Sequence, residues 1–183
     1  MQKHPLPQVP ADNARAAFCA AAASLDEAEA RSEPFAMSQA HTQLARCHAA
    51  LAALPCAETS LQHALRWGRF TGSTDLVVDL LGELSETAAT IAELAEQEGV
   101  GRGHAARERA RDHAFEATTL ASRVADGAWE VQVLLRASEV LARCGDSDDA
   151  AQLQTRALRL IADDLNLHSD AARLPPTGRL ADG

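Results

Sequence analysis

Apolar residues recur at every third or fourth position through most of this chain, and polar, Gly or Pro runs separate the periodic stretches. That spacing is the helical period, because side chains three and four apart share one face. It predicts seven helices between Ala11 and about Leu165. The first spans about 11–31, with Asp12 or Asn13 placed to cap it and Ala14, Ala17, Phe18, Ala21 and Leu25 on one stripe. Ser32 is placed to cap the second, with Pro34 in its first turn, where a missing N–H costs nothing. The second helix is expected to bury Ala40, Leu44, Cys47, Leu51 and Leu54 and to stop at Pro55; the third covers about 56–68.

The fourth starts after Ser73 and runs to about Glu98 through Val77, Leu80, Leu81, Leu84, Ala88 and Ile91. Gly99, Gly101 and Gly103 end it. The fifth is expected over 104–125, the sixth over 128–143, and the seventh from an Asp146 or Ser147 cap to about Leu165. Residues 1–10, with three prolines, and 166–183, with Pro175-Pro176, read as disordered tails flanking one domain over 11–165. Short connections at Pro55 and Gly145-Asp146 predict antiparallel neighbours, pairing helices two with three, four with five and six with seven. Periodicity does not place the first helix.

Composition sharpens the class. Apolar residues make up 46% of the chain, which excludes wholesale disorder, and aromatics only 3%, which disfavours a β fold. Alanine, the best helix former, fills the difference. The chain is expected to be all-α. The charge of −9 argues against nucleic acid as a partner, since phosphate binding needs a basic face. The longest apolar run, 16–23, is far short of a membrane span, and Pro5, Pro7 and Pro10 interrupt the region where a signal peptide is apolar. A soluble cytoplasmic protein with reduced thiols is expected. From Asp75 to Glu98 all the charges are acidic, whereas Arg102, Arg107, Arg109 and Arg111 open the fifth helix. An antiparallel hairpin would bring Glu93, Glu96 and Glu98 beside those arginines.

Residues 131–164 carry a further pattern: Leu134, Ala137-Ser138 and Leu141, a Gly145-Asp146 turn, then Ala150, Gln154 and Ala157. This unit resembles a tetratricopeptide repeat, with Leu and Gln in the aromatic slots. A weaker copy spans 38–71 through His41, Leu44-Ala45, His48, Ala57, Leu61 and Ala64-Leu65, and a third begins at Val78, Leu81-Gly82 and Ser85. The resemblance covers about half the chain in degenerate form. It implies helix hairpins stacked as a right-handed superhelix, with a helical bundle as the alternative. It also implies a concave groove, lined by the first helix of each pair, that binds an extended peptide or a partner helix. On this chain the lining would be Gln39, Thr42 and Arg46, Asp79 and Glu83, and Gln132, Glu139 and Arg143. The Lys/Asn clamp with which some family members hold a C-terminal carboxylate has no counterpart here.

Chemistry has little support. No Glu-x-x-His pair of the di-iron bundle type occurs, and no Gly-rich loop follows a strand. Cys47, His48, Cys56 and His63 are the best metal candidates, but neighbours such as Cys47 and His48 point about 100° apart on a helix. No cofactor and no catalytic residue is expected. Two functions follow: a non-enzymatic protein-interaction module or scaffold, or a helical protein with a metal or small-ligand site between helices. A homodimer, through the Ala-rich first helix or through Trp129 and Leu135, is compatible with either.

Overall fold

The computed structural model describes residues 11–99, 101 and 103–173, with side chains placed between 15 and 164. These residues form α1 (Ala11–Arg31), α2 (Pro34–Ala50), α3 (Leu54–Phe70), α4 (Thr74–Gln97), α5 (Gly103–Ala121), α6 (Gly127–Arg143) and α7 (Ser147–Arg173). Among them there is no strand, and no helix is long and apolar enough to cross a membrane. The protein is all-α, with the expected seven helices.

The hairpins pair as expected: α2 with α3, α4 with α5 and α6 with α7. α3 packs on α4 and α5 on α6, which joins successive hairpins, and α4 also touches α6. α1 rests on α2.

Five of the six connections share one device. Ser32, Ala52, Gly72, Gly99 and Gly145 each take a left-handed backbone conformation, at φ 53°, 56°, 72°, 68° and 89°. Behind three of them the next N–H reaches back five residues: Glu33 to Ala28, Ala53 to His48 and Asp146 to Leu141. That pairing satisfies carbonyls left over at a helix end. Ser32 therefore terminates α1 rather than capping α2, whose first turn is entered from Glu33 with no side-chain cap. Because Ala52 ends the second helix's turn, Leu51 is exposed and Leu54 opens α3.

Two other helix ends also differ from expectation. α5 stops at Ala121, because Asp126 must be extended to accept from the Trp129 N–H at 3.0 Å and cap α6. α7 continues to Arg173, so the first part of the expected C-terminal tail, 166–173, is helical. No Gly or Pro interrupts it before Pro175. Residues 1–10 and 174–183 lie outside the described residues.

The core has two parts. Leu61, Leu65, Val77, Val78, Leu80, Leu81 and Leu84 form one, with Trp129 and Val133 packed on it. Ala88, Ala89, Ala110, Ala114, Ala137, Val140, Leu141 and Ala150 form the other. The buried face of α5 holds only small residues: Gly103, Ala106, Ala110, Ala114, Ala117, Thr118 and Ala121. A Cβ on Gly103 would stand 3.2 Å from the Ala92 carbonyl, so glycine permits this close approach of α5 to α4.

Candidate functional site

The small residue in the middle of each first-helix pattern is buried: Ala45 on α2, Gly82 on α4 and Ser138 on α6. These three helices are also tied to each other along one side by ion pairs. Arg46 of α2 donates to Glu83 of α4 at 2.7 Å. Arg136 of α6 donates to Glu86 of α4 at 2.5 Å. Arg143 of α6 grips Glu93 of α4 with two bonds, 2.7 and 3.1 Å, and donates to the Thr90 hydroxyl at 2.9 Å. The hydrogen bonds from Arg143 hold the Glu93 carboxyl below its ordinary pKa, against a smaller opposing effect of burial.

A second row links the other helices. Arg69 of α3 meets Glu116 of α5 at 2.7 Å. Arg109 of α5 forks onto the buried Glu58 of α3 at 2.7 and 3.1 Å. Arg111 of α5 reaches Asp146, in the turn before α7, at 2.9 Å. Within the last hairpin, Arg156 pairs with the buried Glu130.

This network differs from the expected pairing of acids on α4 with arginines on α5. Only Arg107 with Glu96 pairs that way among the described residues; Arg102 lies outside them. Glu93 is taken by α6 and Arg109 by α3, because those neighbours flank the hairpin at the same height.

Of the expected groove residues, the structure joins Arg46 directly to Glu83. Asp79 is exposed beside them; loss of solvent raises its carboxyl above the ordinary value, Arg136 opposes this, and Glu83 and Asp75 add to it. Thr42 is half-buried and returns its hydroxyl to the Ser38 carbonyl at 2.9 Å. Glu139 is exposed. Gln39 and Gln132 stand apart from this set. Gln39 lines an open groove between α1 and α2, with Ala17, Ala20 and Ala36. Gln132 lines another between α6 and α7, with Val131, Leu160 and Ile161.

The sequence reading missed Arg136, Glu86 and Thr90, and gave Glu93 a partner on α5 rather than Arg143 of α6. A signal existed. Arg136 and Arg143 are two turns apart on α6, and Glu86 and Glu93 are two turns apart on α4, so the pairs share one register.

The metal candidates are not brought together. His48 sets its edge against Phe18 at 5.3 Å, whereas His63 stacks on His41 at 5.2 Å. Cys56 is exposed, Cys47 half-buried, and both are free thiols. Among the described residues no group of three or more His, Cys, Asp and Glu is placed to hold a metal ion.

No family model matches the chain, and no curated protein matches it. One similar solved structure is the crystal structure of BtubC (BKLC) from P. vanneervenii, 15% identical, covering 82% of this chain and 70% of that one with a TM-score of 0.30. A likeness that loose assigns neither a family nor a function.

Proposed function

We propose that this chain is a non-enzymatic interaction module, a tetratricopeptide-like stack of three hairpins that binds an extended peptide or a helix of a partner protein across α2, α4 and α6. The observation that carries this reading is the series of ion pairs from Arg46 through Glu83, Glu86 and Glu93 to Arg136 and Arg143. It links side chains of α2 to α4 and of α4 to α6 along one polar face, and a partner docking across a face already tied together would bind with less ordering cost. The repeated burial of Ala45, Gly82 and Ser138 at matching positions supports the repeat-like stacking. Asp79 and Glu139 are the exposed carboxylates of this face to which a partner's basic side chain would bind.

The test is affinity for a partner captured through a photo-crosslinker at Thr42 or Glu139. The double reversal Asp79→Arg with Glu139→Arg should weaken that partner's binding about ten-fold or more, as loss of interfacial charge pairs does. Arg66→Glu on the exposed side of α3 should leave it unchanged. Binding that ignores the double reversal would sink the proposal.

A further inference from the structure

Three large apolar side chains of the last hairpin face solvent: Leu135 of α6, 41% exposed, and Leu158 and Ile161 of α7, 65% and 40% exposed. Leu160 and Ile161 line, with Val131 of α6, an open groove of about 610 Å³ that is bordered by Asp126 and Asp164. Leu135 stands one turn along from Val131, and Leu158 one turn before Ile161, so the groove and the exposed side chains make one patch. Earlier in the stack a helix covers the corresponding place: α6 itself lies on both α4 and α5. It runs antiparallel to α5, from which a short turn separates it.

We propose that a second copy of this chain docks on this patch, through a two-fold axis near Ile161 that seats α7 of each copy in the α6–α7 groove of the other. Such an axis makes the two α7 helices antiparallel, the polarity that α6 has on α5. Leu158 and Ile161 have the three-four spacing of a helix–helix seam, and Leu165 continues it in the sequence.

The charges agree with the same polarity. Arg159 is exposed on α7 and has no ion pair among the described residues. With Ile161 on the axis, position 159 of one copy comes level with position 163 of the other. Arg159 then approaches the end of the groove bordered by Asp126. A parallel placement would bring Asp163 and Asp164 to those same acids, and like charges repel. α7 also runs on past Asp164 to Arg173, beyond the start of α6 at Gly127. A helix end standing alone in water is marginal, and antiparallel pairing lays this end along the N-terminal half of the other α7. The dimer does not depend on the partner binding proposed above, and each proposal can fail alone.

The experiment is sedimentation equilibrium of the full, reduced chain over a concentration series. A monomer–dimer equilibrium in the micromolar range is expected. Leu158→Glu and Ile161→Glu should each weaken it about ten-fold or more, by placing a carboxylate in the apolar seam. Both positions are exposed, so both variants should fold, and circular dichroism checks that they have. Arg159→Glu should weaken the dimer about three- to ten-fold and reduce its salt dependence. Ala20→Glu, in the groove between α1 and α2, should leave it unchanged. A chain that stayed monomeric at about 0.5 mM would overturn the proposal, since even weak specific association shows there. So would a dimer that both α7 glutamate variants leave intact, or one that Ala20→Glu abolishes.

Discussion

The guanidinium of Arg136 lies on the backbone of Gly82: a Cβ at that glycine would stand 2.7 Å from Nη1 and 2.8 Å from Cζ. The absence of a side chain on α4 therefore gives the arginine of α6 its seat. A small cavity of about 20 Å³, room for a single water, lies beside it between α4, α5 and α6. Gly82→Ala should gain about 1 kcal/mol of helix propensity. It should lose up to about 1 kcal/mol as the partly exposed Arg136–Glu86 pair is displaced. The net change should fall near zero. In an Arg136→Ala background the same substitution should stabilise by about 1 kcal/mol. Urea denaturation of the four proteins of this cycle measures the coupling, and equal effects in both backgrounds would refute it.

Ala52 carries left-handed strain at φ 56° on an exposed turn. Ala52→Gly should relieve about 1–2 kcal/mol of steric cost and give back part of it in unfolded-state entropy. A net gain of about 0.5–1 kcal/mol is expected in the same denaturation assay. A loss of stability would mean that the turn does not sit in this conformation.

Two arginines on neighbouring helices should behave differently. Arg109→Ala removes the partner of Glu58, which is only 8% exposed, and should cost about 1–2 kcal/mol because it strands a buried carboxylate. The arginine itself is partly exposed, which keeps the cost below that of a fully buried pair. Arg69→Ala breaks an exposed pair with Glu116 and should change stability by less than about 0.5 kcal/mol. The contrast between the two is the measurement, and a reversed order would refute it.

Acid should weaken the fold in a specific window. Burial lowers His41 and His113 below the ordinary imidazole value; His63 adds to this at His41, and nearby carboxylates oppose it at both. The unfolded chain then binds protons first as the pH drops. The stability these histidines contribute is complete above about pH 6.5, the unfolded value, and is lost as the pH falls from there through their folded values. Glu93, held low by Arg143, adds a further loss at more acidic pH. Denaturation midpoints across this range should fall, and His113→Gln should flatten the upper part of the curve. A midpoint that stayed constant from neutral pH into the acid range would contradict this assignment.

Much of the fold was legible because helical period and turn chemistry are local. Val77, Leu80, Leu81 and Leu84 announce one buried face of α4, and Gly145-Asp146 announces a reversal. The places that misled have non-local causes. Ser32 and Asp126 are equally good end or start residues, and the neighbouring helix decides which role each takes. Arg107 of α5 does meet Glu96 of α4 as the hairpin pattern implies, but Arg109 and Arg111 do not, because the pattern shows one hairpin at a time; their partners, Glu58 and Asp146, come from flanking elements. Glu83 and Arg46 were legible as a polar face, yet their contact across 37 residues was not. His63 was considered with Cys56 on its own helix, whereas packing sets it against His41.

Among the described residues α1 packs chiefly on α2, whereas α4 touches α3, α5 and α6. The alanines that α1 buries, Ala21 and Ala28, exclude little water when they dock. The stack is therefore graded along its length. Amide protons of α1 should exchange with solvent through local fraying, long before those of α4, which need the whole stack to open. The chain can thus loosen at its N-terminal end while its middle stays closed.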